Sequence, residues 1–240
     1  MKINLLSVRD LHGPNRKCVV RGGLSFDMED KELVVLYAGE AGVHCSYCAR
    51  FSHRSQLLRS IARLDLPRRG EIIFRGQDIA TYRGEELDDL RRRIQFVFTD
   101  DNSLNPRMSI KDTLKEVLRW NPVMQENSNE FILNLLSRLG MQDDMLGILS
   151  GTYFPMDFDA VRRTKISMAR SLIVSPDLLI VDVFPESWSE TERMRVALAI
   201  RDMHREFEIG VVVMATTREE AQYFGGRMIE RKELFVEPIV

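Results

Sequence analysis

The 240-residue sequence has few cysteines, no long apolar run and no excess of charge of one sign. Its three cysteines, at positions 18, 45 and 48, are too few for a disulfide scaffold and indicate a reducing compartment. No apolar run approaches the roughly 20 residues that a membrane-spanning helix needs, and the first residues lack a signal-peptide pattern. A net charge of −2 gives no support for nucleic-acid binding. We therefore expect a cytoplasmic protein without nucleic-acid partners, which reaches a membrane only through other proteins.

Apolar segments alternate with helical patterns along most of the chain. Residues 33–38, 94–98 and 178–183 are apolar almost throughout, as is typical of strands buried on both faces. Residues 84–93 have the pattern of a charged helix, residues 189–207 that of a long helix, and the spacing within 109–139 is also helical. Buried strands that alternate with helices predict an α/β fold with a parallel sheet covered on both sides.

Four stretches resemble a known family. They are LLRSIARLD at 57–65 with GEIIFRGQDI at 70–79, residues 91–98 followed by SLNPRM at 103–108, ISMARSL at 166–172, and residues 176–182. Their content and order resemble the ATP-binding subunits of ABC transporters, in the branch that imports peptides and nickel. The resemblance implies one P-loop NTPase-type domain over 1–240, with an antiparallel β part and an inserted helical lobe over 99–170. It also implies a helix that begins near residues 52–56.

The phosphate-binding loop of that family departs from its pattern here. Glycines let backbone N–H groups converge on an anion, a Lys reaches the terminal phosphates, and a Ser or Thr binds magnesium. Gly39 and Gly42 begin the loop correctly, but residues 43–51 form an insertion. The alignment then places His53 at the last glycine, Arg54 at the Lys and Ser55 at the magnesium-binding hydroxyl. The planar fork of Arg cannot simply replace the compact ammonium of Lys. Two interpretations remain: a surface loop leading into a helix, or residual nucleotide binding through these residues.

Other positions that carry chemistry in the family are also changed. Asp182 keeps the carboxylate that supports magnesium, whereas Asp159 stands within the glycine-rich signature motif, where it would repel phosphate. Groups that polarise water or phosphate are replaced at three positions, namely Thr99, Val183 and Thr216. Phosphoryl transfer relies on positioning and charge stabilisation, so the sequence predicts negligible ATP hydrolysis and no required cofactor.

The insertion holds a second cluster with possible chemistry. His44, Cys45, Cys48 and His53 could supply four ligands for a tetrahedral zinc ion. A single Cys-x-x-Cys is a weak signal, and adjacent His44 and Cys45 rarely bind one ion together. A redox disulfide and small buried apolar side chains are the other interpretations.

The main functional prediction is a catalytically inactive subunit that serves as a docking component of a larger complex at the inner face of the cell membrane. Its partners would be an ABC-like ATP-binding subunit, membrane subunits, or both. The predicted docking residues are Ser103, Met108, Ile110 and Trp120, although Ile110 could equally belong to the core. Two alternatives stay open. One is an importer subunit that binds ATP and magnesium weakly beside an active partner, and the other is a metal- or redox-sensing module.

Overall fold

The computed structural model describes residues 4–14, 23–37, 53–99, 104–119, 128–182, 184–185 and 187–230, with the backbone alone at 53 and 54. Its strands are β1 (Leu6–His12), β2 (Leu24–Met28), β3 (Leu33–Tyr37), β4 (Arg69–Phe74), β5 (Gln77–Asp78), β6 (Ile94–Val97), β7 (Leu178–Val181), β8 (Gly210–Ala215) and β9 (Arg227–Glu230). Its α-helices are α1 (His53–Ile61), α2 (Gly84–Arg93), α3 (Ile110–Arg119), α4 (Ser128–Arg138), α5 (Met145–Ser150), α6 (Ala160–Leu172), α7 (Glu190–Phe207) and α8 (Arg218–Phe224).

These strands form two sheets. The larger sheet has the order β6-β7-β8-β3-β9, and all its neighbouring strands are parallel. The smaller sheet has the order β2-β1-β4-β5 and is antiparallel. Every residue of β3, β7 and β8 is buried, which explains why these segments read as continuous apolar runs. The predicted α/β fold with a parallel sheet and an antiparallel part is confirmed.

The parallel sheet separates two hydrophobic cores, because alternate side chains of a strand point to opposite faces. Val35 and Val213 face a core shared with helices α3 to α8. Val34 and Val212 face the other core, which is shared with α1 and the antiparallel sheet. The antiparallel sheet and α1 therefore cover one face of the parallel sheet, and helices α3 to α8 cover the other.

Helix α1 lies in the second core and begins at His53, within the range predicted for it. Leu57, Leu58 and Ile61 are fully buried and anchor the helix on this face. The buried Arg63 follows the helix, where its guanidinium donates to the carbonyl oxygens of Ile79 and Ala80, each at 2.9 Å. The packing holds the amino-terminal turn of α1 at the carboxyl end of the parallel sheet.

The other core contains the helices between β6 and β7. Helix α3 buries Ile110, Leu114 and Leu118, and α4 buries Leu135 and Leu136 in the same cluster. The helical spacing of residues 109–139 therefore reflects two packed helices. No helix within the described ranges is both long enough and apolar enough to cross a membrane.

Candidate functional site

The carboxyl ends of β7, β8 and β3 lie side by side, since these strands are neighbours in the parallel sheet. Ligands of open α/β sheets bind in the crevice outside the carboxyl ends of the strands. Asp182 directly follows β7, Thr216 directly follows β8, and α1 begins 16 positions after the end of β3 at Tyr37. This edge is where the sequence predicted nucleotide-binding residues.

A hydrogen bond joins two of the predicted residues. The Ser55 hydroxyl, in the first turn of α1, donates to Oδ2 of Asp182 at 3.0 Å. Ser55 is 3% exposed and Asp182 is half-buried. This bond joins the start of α1 to the residue that follows β7. A hydroxyl and a carboxylate are oxygen ligands of the kind that magnesium prefers, so the pair fits a magnesium ion with bound phosphates.

Thr216 belongs to a second polar cluster at the same edge. Its hydroxyl donates to Oε2 of Glu220 and accepts from Nη1 of Arg193 at 3.0 Å. Arg193 also lies 3.4 Å from Glu220 and donates to the carbonyl oxygens of Pro185 and Trp188, at 2.9 and 3.1 Å. The cluster therefore ties the segment after Asp182 to the end of β8.

Two helix starts position these side chains. Ser189 caps α7 in a capping box with Glu192, which sets Arg193 on the turn beside the sheet edge. Thr217 caps α8 by accepting from the backbone N of Glu220 at 3.1 Å. The sequence analysis missed Arg193 and Glu220. The spacing of four residues between Thr216 and Glu220 was the available signal, because it places two polar groups on one side of a helix start.

The segment that resembles the signature motif places Asp159 at the start of α6. Asp159 caps α6 by accepting from the backbone N of Arg162 at 2.8 Å. Its carboxylate also lies 3.8 Å from Arg162 and 3.9 Å from Arg195. Two guanidinium groups thus lie near the Asp159 carboxylate, and the repulsion of phosphate stays a prediction.

The remaining predicted residues fall into three groups. Thr99 is buried just after β6. Ile110 is fully buried, which favours the core interpretation that the sequence left open, because an interface residue needs an accessible side chain. Met108 is half-buried and lines an open cavity of about 560 Å³ together with Val117, Arg170 and Val174. Burial lowers the pKa of the Arg170 guanidinium in this cavity.

Several predicted residues lie outside the described part of the chain. They are Gly39, Gly42, His44, Cys45, Cys48, Ser103, Trp120, Val183 and the side chains of His53 and Arg54. The zinc and redox interpretations of the insertion therefore stay predictions.

Comparisons with known proteins identify the family. A family model described as ABC transporter matches residues 52–183, more than half of the chain. The chain is 29% identical over 232 residues to the oligopeptide transport ATP-binding protein AppF of Bacillus subtilis, an alignment that covers 90% of this chain and 66% of AppF. It is also 29% identical to the dipeptide transport ATP-binding protein DppF of Lactococcus lactis, over 66% of this chain and 50% of DppF. The chain thus spans only part of the length of these relatives.

Two solved structures share the fold. One is cbiO1 from Clostridium perfringens, part of the ABC transporter complex cbiONQ, with a TM-score of 0.70 and 18% identity over 90% of this chain and 79% of cbiO1. The other is the ATP-binding cassette MJ0796, in a dimeric structure bound to ADP and Pi, with a TM-score of 0.71 and 19% identity over 97% of this chain and 96% of MJ0796. At these identities the likeness concerns the fold alone.

The predictions of a catalytically inactive docking subunit and of a chain that is no enzyme are wrong. The similar proteins are named as ATP-binding proteins of peptide transport, and the family match includes both Ser55 and Asp182. The prediction rested on the changed motif positions, and the sequence could not show that the fold joins the two retained side chains, Ser55 and Asp182, by a hydrogen bond. Through its match over residues 52–183, the chain belongs to the ABC transporter family and is similar to the ATP-binding proteins of oligopeptide and dipeptide transport.

Proposed function

We propose that the chain is an ATP-binding subunit of a peptide importer, in which Ser55 and Asp182 hold the magnesium ion of bound ATP. The hydrogen bond between these two side chains, at 3.0 Å, is the observation that carries the proposal. In P-loop proteins a Ser or Thr hydroxyl binds magnesium, and the Asp after a buried strand supports the same ion. The names of the similar proteins supply the substrate class, a peptide.

Each residue has one task in this proposal. Ser55 and Asp182 orient the ion, and Gly39, Gly42 and Arg54 contact the phosphates, as the alignment suggests. Magnesium, when bound, neutralises the charge on the phosphate oxygens. The burial of Ser55 favours this role, because a hydroxyl removed from water and fixed by a carboxylate loses little freedom when it binds a ligand.

The subunit works as one of a pair and docks on membrane subunits in this proposal. MJ0796 is dimeric and cbiO1 is part of a transporter complex, which supports assembly. Residues 99–170 serve as the helical lobe. Its cavity beside Met108 and Arg170 receives a short helix from a membrane subunit, and the chain thereby sits at the inner face of the membrane. The cavity lining combines apolar side chains, such as Met108 and Val117, with charged ones, such as Arg92 and Glu116, so it suits a helix that presents both apolar and polar side chains.

Calorimetric titration of the purified chain with ATP, with and without magnesium, tests the nucleotide site. We expect magnesium to strengthen ATP binding in the wild type, and Ser55→Ala and Asp182→Asn to lower the affinity for Mg–ATP roughly tenfold, since each removes one charged or oxygen contact. Ser60→Ala is the matched control, because Ser60 is a buried serine of the same helix whose hydroxyl donates only to the carbonyl oxygen of Gln56, at 2.9 Å. A wild type that binds no ATP would overturn the proposal.

Replacement of Met108 by Asp tests the docking surface. We expect the variant to lose co-purifying membrane subunits while keeping its thermal unfolding temperature, because a charge in the cavity opposes burial of an apolar anchor. Met156→Asp is the control, since Met156 is 75% exposed and does not line the cavity. Equal retention of subunits by both variants would contradict docking at this cavity.

A further inference from the structure

A second cavity, of about 170 Å³, lies between the first two turns of α6, helix α7 and the turn that follows α4. We call it the charged cavity, because three carboxylates and three cations line it, namely Asp143, Asp144, Asp159, Arg162, Lys165 and Arg195. It shares no lining residue with the cavity beside Met108. A protein cavity of about 150 Å³ can hold benzene, so the charged cavity suits a ligand of about six to nine non-hydrogen atoms.

Three of these charged side chains pair with one another. Nε of Arg162 lies 3.1 Å from Oδ2 of Asp144, and Nη1 of Arg162 lies 3.8 Å from Oδ2 of Asp159. The Asp144 side chain is only 15% exposed, so its hydrogen bond with Arg162 joins the turn after α4 to α6. These three residues therefore form a wall of the charged cavity and need no ligand to balance their charges.

The other three charged side chains have hydrogen-bonding capacity left. The Lys165 ammonium has three donors but donates only to the carbonyl oxygen of Gly140, at 3.3 Å. The Arg195 guanidinium forms no hydrogen bond with a described residue, and its ion pair with Asp159 is as long as 3.9 Å. Within the described ranges, Asp143 has neither a hydrogen bond nor an ion pair. Two cations and one carboxylate can thus bind a ligand in the same cavity.

Lys165 is the cation that gains most from a ligand anion. The residue is half-buried, and burial lowers the pKa of its ammonium despite the opposing charge of Asp202. The lowered pKa means that the ammonium has lost hydration that the surrounding carboxylates do not replace. A carboxylate group beside Lys165 would replace that hydration with a charge-assisted hydrogen bond.

We propose that the charged cavity binds a small zwitterion, whose carboxylate contacts Lys165 and Arg195 and whose ammonium contacts Asp143. A simple anion would leave Asp143 unmatched, and a simple cation would leave the two basic side chains unmatched. Short peptides and free amino acids both carry this pair of charges. The volume favours a dipeptide, which has about nine non-hydrogen atoms at its smallest. The choice of a peptide rests on the proposed function, in which the similar proteins supply the substrate class.

A bound zwitterion would join three parts of the fold. Asp143 belongs to the turn after α4, Lys165 to α6 and Arg195 to α7. A ligand that contacts all three binds the folded chain and not the unfolded one, so it should raise the thermal unfolding temperature.

Calorimetric titration of the full chain with glycylglycine, without nucleotide, tests the charged cavity. Three compounds of similar size separate the charges: N-acetylglycine has the carboxylate alone, glycylglycinamide the ammonium alone, and N-acetylglycinamide neither. We expect glycylglycine to bind with a dissociation constant on the order of 1 mM. The three other compounds should bind roughly tenfold more weakly, because each lacks at least one charged hydrogen bond. Glycine distinguishes a free amino acid from a peptide and should also bind more weakly than glycylglycine.

Substitutions locate the binding. Lys165→Met and Asp143→Asn should each weaken glycylglycine binding roughly tenfold. Asp143→Asn should also remove most of the preference for glycylglycine over N-acetylglycine, a change that partial unfolding would not produce. Lys111→Met and Asp88→Asn are the matched controls, because neither residue lines the cavity, and their affinities should stay within twofold of the wild type. Glycylglycine should raise the unfolding temperature of the wild type and of both controls.

The outcomes are distinct from those of the nucleotide site, since the titration contains no nucleotide. Absence of saturable glycylglycine binding up to about 10 mM overturns the proposal. Equal binding of glycylglycine and N-acetylglycine also overturns it, because the site would then recognise an anion alone. Tighter binding of glycine than of glycylglycine supports a zwitterion site but overturns its assignment to peptides. A chain that binds glycylglycine but no ATP overturns the proposed function and leaves the zwitterion site standing.

Discussion

Charged side chains lie at both the amino and the carboxyl end of the parallel sheet, but their hydrogen bonds differ between the two ends. At the amino end, Asp177 precedes β7 and accepts from Nη2 of Arg75 at 2.9 Å and from Nε of Arg93 at 2.7 Å. Its carbonyl oxygen also accepts from the backbone N of Gly210 at 3.0 Å. These contacts join the antiparallel sheet, the end of α2 and two parallel strands.

The carboxyl end keeps acceptor positions open instead. The oxygens of Thr216 and Glu220 each have capacity left among the described residues, and Ser55 and Asp182 form a pair suited to a metal ion. The difference predicts that the amino end stabilises the fold whether or not a ligand is present, whereas the carboxyl end gains stability when a ligand completes its contacts. Four predictions test this comparison.

The largest effect is expected at the carboxyl end itself. Arg193→Met removes the cation beside Glu220, and the side chains of this pair are only 17% and 3% exposed. Because the change leaves a buried carboxylate without its charge partner, we expect the free energy of unfolding to fall by about 3 kcal/mol. Urea denaturation measures it. Arg195→Met, on the exposed side of the same helix, should change the value by less than about 0.5 kcal/mol. Similar values for both variants would contradict the buried pair.

Bound Mg–ATP should stabilise the fold through contacts at the carboxyl end of the parallel sheet alone. At a free Mg–ATP concentration about 100 times the dissociation constant, we expect the free energy of unfolding of the wild type to rise by about 2.7 kcal/mol. Asp177→Asn should keep this increment, whereas the tenfold weaker affinity expected for Asp182→Asn should reduce it to about 1.4 kcal/mol at the same nucleotide concentration. Loss of the increment in Asp177→Asn would show that the two ends are coupled.

A smaller effect is expected at the amino end, and it depends on pH. Burial raises the pKa of the Asp177 carboxyl. The hydrogen bonds and charges of Arg75 and Arg93 together lower it by more than burial raises it, so the pKa lies below its ordinary value. A carboxyl with a lowered folded-state pKa contributes stability above its unfolded pKa of about 4 and loses it as the pH falls through the folded value. Asp177→Asn should therefore cost about 1 kcal/mol at pH 7, because its partners are partly exposed.

The same variant supplies the control for that prediction. The difference in urea midpoint between the wild type and Asp177→Asn should shrink steadily as the pH falls below about 4. A difference that stays constant down to pH 2 would show that the charge of Asp177 is not its cause.

The smallest effect is expected for Asp182→Asn without nucleotide. The amide oxygen can still accept from Ser55, so the free energy of unfolding should change by less than about 0.5 kcal/mol in urea denaturation. If the free energy of unfolding fell by several kcal/mol, Asp182 would stabilise the fold even without nucleotide. The amino and carboxyl ends of the sheet would then differ less than we infer.

The strands and helices could be predicted from the sequence. Three apolar runs predicted the buried strands β3, β6 and β7, and the charged pattern of residues 84–93 predicted α2. The start of α1 and the Asp after β7 followed from the motif order. Such features are local, because the period of side-chain burial and the turn residues lie within a few positions of each other.

The site was decided by tertiary structure, because its contacts join residues far apart in the chain. Ser55 meets Asp182 because α1 and β7 pack in the same hydrophobic core, and no local pattern encodes that packing. The same packing brings Arg193 to Glu220, balances the charge of Asp159 with Arg195, and buries Ile110. The sequence alone thus determined the elements, their order and the family resemblance. Only the fold decided which polar side chains share one crevice, since burial and charge pairing depend on neighbours in space.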